Sequence, residues 1–155
     1  MVNKLLSNAE RIWIFQCNPE KYKIRDALLD KNVINCFHWK VKQHKDEILS
    51  GHIGLIWCSG SSSGIYAITE LISNPGEFIE TENEKKYWVD DTDEKGSQYR
   101  VKMKLIKHFI NTPIKRETIL KINGLQNLSI IKMPRGTNFL VNKEEWALIN
   151  KLIEN

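Results

Sequence analysis

The sequence predicts an α+β fold, a curved and mostly antiparallel sheet or small barrel with helices packed on it. Three observations predict it. The segments read β-α-β-β-β-β-α-β-α, and most strands follow one another directly. The chain has 155 residues and an apolar fraction of 41%, which suits a single domain, spanning 1–155, with a real core. No repeat, linker or low-complexity run divides it.

The elements follow in order. RIWIFQC at 11–17 is dense in aromatic and β-branched residues and ends at Asn18-Pro19, a buried strand followed by a turn. The apolar spacing of Tyr22, Ile24, Ala27, Leu28 and Leu29 predicts a helix over 20–31. VINCFHW at 33–39 reads as a second strand. HKDEILSG at 44–51 reads as one or two helical turns stopped by Gly51. HIGLIWCS and GIYAITELIS form a hairpin around a serine-rich turn, closed by Asn74-Pro75-Gly76. Residues 76–98 are acidic and poor in aliphatics, so they read as a loop. YRVKMKLIKHF at 99–109 alternates basic and apolar residues, a half-exposed strand with its lysines outward. KRETILKI reads as a short helix and LSIIKM as a strand. The closing helix starts at Asn142, with Glu145 in the capping-box position.

Composition excludes several classes. No apolar run approaches the roughly 18 residues of a membrane helix. The first ten residues are too polar for a secretory h-region. Three separated cysteines with no C-x-x-C pair argue against zinc and thioredoxin-like chemistry, and their odd number points to a reducing cytoplasm. The net charge of +4 is unevenly spread. Seven basic residues face one acid between Tyr99 and Lys121, while eight acids face two lysines between Glu77 and Glu94. A basic face is the footprint of a nucleic-acid binder, or simply a solvated surface.

Gly60-Ser61-Ser62-Ser63-Gly64 matches the G-x-S-x-G nucleophile elbow, with Asp90, Asp91 and His108 following in the order of a hydrolase triad. An elbow needs a helix after the serine. IYAITELI has strand character instead, so the serines are assigned to a tight turn and no catalytic residue is expected. His38, His44, His52 and His108 lack metal-ligand spacing, and His38 reads as a structural histidine. No Ca²⁺ loop or phosphate-binding glycine loop is present, so neither metal nor cofactor is expected.

Trp13, Trp57 and Trp146 lie in apolar periodic segments and read first as core. Trp39 ends a strand and precedes KVKQHK, while Trp88 sits in the acidic segment. Such aromatics near basic residues suit stacking on a base. For Trp88 a lid packed on the barrel is the alternative.

WIFQCNPEKY, Trp39, GHIGLIWCSGSSSGIYAI followed by NP, YRVKMKLI and MPRGTNFLVNKEEWALI together resemble the EVE domain family. That family belongs to the PUA-like superfamily and is similar to the YTH domains that read N6-methyladenosine. The resemblance implies a PUA-like barrel surrounded by helices, with a pocket for a modified base such as methylated cytosine or adenine in DNA or RNA. It implies a non-enzymatic binder, with a separate nuclease or modification enzyme as a further partner. The alternative is an RNA-modification-associated enzyme or a small-molecule-binding module that uses the same pocket. By correspondence with YTH domains, Trp39 and Trp88 form the aromatic cage. Gln16, Asn18, Trp57 and Ser59 line the pocket beside them. Arg135, Thr137 and Asn138 in PRGTN, with Lys40 and Lys42, meet the nucleic-acid backbone. The chain departs from many members at Gly51-His52, where they have Gly-Asp.

Overall fold

The computed structural model describes residues 11–90 and 96–154. Eight strands form one curled sheet: β1 (Ile12–Cys17), β2 (Phe37–Lys40), β3 (Ile53–Cys58), β4 (Gly64–Leu71), β5 (Gly76–Phe78), β6 (Gln98–His108), β7 (Ile114–Lys115) and β8 (Asn138–Val141). The order across it is β2-β6-β4-β3-β1-β8, with β5 on β6 and β7 on β4. Among the described residues only the β1–β3 pair is parallel. These two strands are nearly continuous apolar runs because both their faces are covered.

Alternation along β1 and β3 divides the interior. Trp13, Phe15, Cys17, Ile56 and Cys58 face the concave side, with Tyr22, Trp39, Val101 and Met103. Ile12, Ile14, Ile53, Leu55 and Trp57 face the other side. There they meet α3 (Arg116–Leu120), α4 (Ser129–Lys132) and α5 (Lys143–Glu154) through Ile119, Ile130, Ile149 and Ile153. The Asn142–Glu145 capping box is present, with Glu145 N–H donating to Asn142 Oδ1 at 2.8 Å and Asn142 N–H to Glu145 Oε1 at 3.0 Å.

The two edge strands meet through side chains rather than a ladder. Asn138 Oδ1 accepts the N–H groups of Lys42 (2.7 Å) and Gln43 (3.1 Å), and its Nδ2 donates to Lys40 O at 2.9 Å. Gln43 Oε1 accepts from the N–H groups of Thr137 and Asn138, each at 2.9 Å. This seam curls the sheet toward a barrel and brings Lys40 and Lys42 beside the loop at 134–137.

Four expectations change. The helix over 20–31 shrinks to α1 (Ile24–Ala27), because Tyr22 instead bridges to Trp88 in antiparallel fashion. LSIIKM is helix α4, not a strand; a short apolar run fits either state by pattern, and here it packs on β8. The strand at 33–39 is confined to β2, since 31–35 form turns. The acidic segment is not simply a loop. It carries β5 and α2 (Glu82–Lys85), whose N-terminus is held by a Thr81–Glu84 capping box.

Candidate functional site

One cavity of about 630 Å³ opens where β1 and β2 end. Its apolar wall comes from three rings. The Trp39 and Trp88 ring planes are 13° apart, with centroids separated by 6.4 Å. Tyr22 stands edge-on to both, at 5.5 Å from Trp39 and 4.7 Å from Trp88. A planar ring sandwiched between two parallel ones needs about 6.8 Å, twice the ~3.4 Å rise of a stacked strand. The centroid separation of 6.4 Å falls short of that, so the two rings must part by at least a few tenths of an ångström to seat a base between them.

Each ring is anchored by its polar atom. Trp39 Nε1 donates to Gln16 O at 3.1 Å, and Trp88 Nε1 donates to Glu80 Oε1 at 2.7 Å. Tyr22 O–H donates to Glu84 O at 3.0 Å. Burial, with Glu80 and Glu84 nearby, raises the Tyr22 pKa far above its ordinary value, so the phenol stays neutral.

Behind the rings lies a buried polar layer. Glu84 Oε2 is 2.9 Å from His38 Nδ1, and Glu84 Oε1 accepts the His38 N–H at 2.6 Å. Glu80 faces Arg100 at 3.7 Å, and Arg100 Nη1 donates to the carbonyls of Phe78 (2.6 Å) and Gly96 (2.8 Å). Burial raises the pKa of Glu80 despite the Trp88 bond and Arg100. Burial also acts on Glu84, but the bonds from His38 and Thr81 outweigh it and the net shift is downward. Arg100 is therefore inside the fold and not on the basic outer face expected for its strand.

The rim is polar and mostly cationic. Lys21, Lys40, Lys42 and Arg135 line it, with Asp90 as the acid. Gln16 Nε2 donates to Pro134 O (2.8 Å) and Gly136 O (2.7 Å), so its amide fixes the loop that carries Arg135. Asn18 Oδ1 accepts the Glu20 N–H at 3.0 Å, which leaves its Nδ2 uncommitted among the described residues.

The cavity thus brings together Gln16, Asn18, Trp39, Ser59, Trp88, Lys40, Lys42, Arg135 and Thr137. Two expected residues are elsewhere. Trp57 is 3% exposed and packs in the opposite cluster, because alternation in β3 turns it away from the side that Cys58 faces. Asn138 is 2% exposed and its side chain is spent on the seam. Sequence reasoning missed Lys21 and Tyr22, assigned to a helix, and Asp90. It also missed Glu80 and Glu84, although Thr81-x-x-Glu84 is a readable capping-box signal.

Residues 59–63 join β3 to β4, so a strand and not a helix follows Ser62. The nucleophile elbow is overturned on that geometry; Asp91 lies outside the described residues. Among the described residues no group of three His, Cys, Asp or Glu side chains could hold a metal. No helix among them is long and apolar enough to cross a membrane.

The family model described as EVE domain matches residues 11–152. The chain belongs to the EVE domain family. No curated protein matches it significantly. Among solved structures, this EVE domain is similar to a hypothetical protein from Leishmania major (TM-score 0.65, 15% identity, covering 96% of this chain and 97% of that one). A protein from Rhodopseudomonas palustris gives TM-score 0.65 and 18% identity, covering 92% of each chain. The human THYN1 protein, solved in complex with 5-methylcytosine-containing DNA, gives 0.62 and 14% identity, covering 94% of this EVE domain and 99% of that chain. These likenesses bear out the curled barrel with helices expected for the fold.

Proposed function

We propose that this EVE domain binds a modified nucleobase, such as methylated cytosine or adenine, in a DNA or RNA strand and does no chemistry on it. The observation that carries the reading is the near-parallel pair Trp39 and Trp88 over Tyr22, opening onto a cationic rim. A base reaches such a slot only when flipped or single-stranded, which costs a few kcal/mol from a duplex. Stacking contributes about 1–3 kcal/mol per base and offsets that. Lys21, Lys40, Lys42 and Arg135 supply phosphate attraction that weakens with salt. The structural likeness to THYN1, solved with 5-methylcytosine DNA, supports this choice of ligand. A binding role also suits the wall chemistry. Cys17, the thiol there, is buried and kept protonated by burial, with Cys58 beside it. Any cleavage or modification then belongs to a separate partner enzyme.

The test is titration with paired single-stranded oligonucleotides that differ by one methyl group. Burial of one methyl contributes about 0.8 kcal/mol, so the methylated strand should bind about fourfold more tightly. Equal affinity for methylated cytosine, methylated adenine and their plain counterparts refutes the reading.

A further inference from the structure

A second cavity, of about 300 Å³, lies on the β3–β4 turn and is lined by residues 60–63 and 115–117. Ser59 lines the first cavity and Gly60, the next residue, lines this one. Its donors are uncommitted. The hydroxyls of Ser61, Ser62 and Ser63 make no hydrogen bond among the described residues, and neither Lys115 nor Arg116 has an ion-pair partner there. Among the described residues Glu117 is the lone acid on this rim, against Lys115 and Arg116.

The turn is also held in shape. Tyr66 O–H donates to Ser62 O at 2.6 Å, and Arg25 Nη2 donates in turn to the Tyr66 oxygen at 3.2 Å. Ser63 N–H donates to Gly60 O at 3.1 Å, and Arg116 N–H donates to Ser63 O at 2.8 Å. A Cβ at Gly64 would run into the Ile114 carbonyl oxygen, so glycine lets the turn seat closely on β7. The backbone of the turn is therefore ordered before any ligand arrives, which lowers the ordering cost of binding there.

From these observations we infer that the serine-rich turn, with Lys115 and Arg116, forms a second nucleic-acid contact that takes a backbone phosphate beside the base in the pocket. The inference rests on the base-binding reading and names the path the strand follows away from that site. Hydroxyls, lysine and arginine are the side chains that contact phosphate without reading sequence. Three residues separate Ser59 from Ser62, a span of at most about 11 Å. At ~3.4 Å per stacked nucleotide, the turn lies within about three nucleotides of the read base.

The test measures salt dependence with the full chain. The probes are a long single-stranded oligonucleotide and a trinucleotide, each with and without one methylated cytosine. Both target side chains are exposed, so Lys115→Ala/Arg116→Ala should keep the melting temperature. Each lost phosphate contact removes about 0.7 from the log–log salt slope on a single strand. Losing that one phosphate contact, the double variant should lower the slope by about 0.7. The loss of affinity between about 50 and 200 mM salt then shrinks about 2.6-fold, equally for methylated and plain strands. Trinucleotide binding should weaken no more than long-strand binding, and Lys151→Ala, at an exposed position of α5, should leave the slope unaltered. An unchanged slope in the double variant, or an equal drop in Lys151→Ala, overturns the inference. A lowered slope without methyl preference in the unaltered protein fails the base reading and keeps the strand path. Methyl preference with an unaltered slope fails the path alone.

Discussion

Replacing Asn138 by alanine opens the seam that closes the barrel. The side chain is 2% exposed and makes three hydrogen bonds, two accepted from Lys42 and Gln43 and one donated to Lys40 O. At about 1 kcal/mol net each, their loss destabilises the fold by roughly 3 kcal/mol. For a chain of this size each kcal/mol shifts Tm by about 2–4 °C, so Asn138→Ala should melt about 6–12 °C lower. Urea unfolding should show a lower midpoint at unchanged slope, since the exposed area on unfolding is the same. Gln43→Ala removes the opposite half of the seam, but Gln43 is exposed and its bonds contribute less. The two substitutions share one contact region, so their effects should not add. A Tm within about 2 °C of the unaltered protein for Asn138→Ala would refute the assignment of this side chain to closure. It would return Asn138 to the strand-contacting surface.

Two further predictions concern the buried layer behind the rings. Glu80→Ala removes the acceptor of the Trp88 indole and the Glu80–Arg100 ion pair, so it should lower both Tm and the preference for a methylated base. Glu80→Gln keeps an acceptor and should retain the preference at reduced Tm; equal loss of preference in both variants would show that charge, not ring position, matters. The third prediction is a pH dependence. The folded-state pKa of Glu84 is depressed, so its stabilisation is present above the unfolded value of about 4.3 and is lost as pH falls through the folded value. The loss in Tm caused by Glu84→Gln should therefore be large at neutral pH and shrink in acid. A constant loss from neutral pH into strong acid would contradict the role given to the His38 contact.

The strands were legible where pattern and burial agree. RIWIFQC, the hairpin around the serine turn and the Asn142 capping box all follow from local rules. LSIIKM was not legible, because four apolar or small residues fit a helical turn as well as a strand, and packing on β8 decides. Most of the cavity could be named by resemblance, yet the orientation of Trp57 could not. Its neighbour Cys58 faces the concave side, and a one-residue step along a strand reverses the face. Asn138 illustrates a different limit. A polar residue beside an exposed arginine looks like a surface contact until the partner strand, almost a hundred residues away in sequence, is seen to use it. The Glu80, Glu84, His38 and Arg100 layer was hidden for the same reason. Acidic residues in an acidic segment read as solvated unless the long-range partners that bury them are known.

The central claim is that Trp39 and Trp88 hold a modified base between them. It is tested most directly by measuring the ratio of affinities for methylated and plain oligonucleotides in the unaltered protein and in Trp39→Ala. Loss of one stacking wall removes about 1–3 kcal/mol per base. The account predicts a ratio of about four in the unaltered protein that falls to one in Trp39→Ala, with overall binding weakened but still salt-dependent. A ratio that survives in Trp39→Ala would contradict it, because the base would then be read elsewhere.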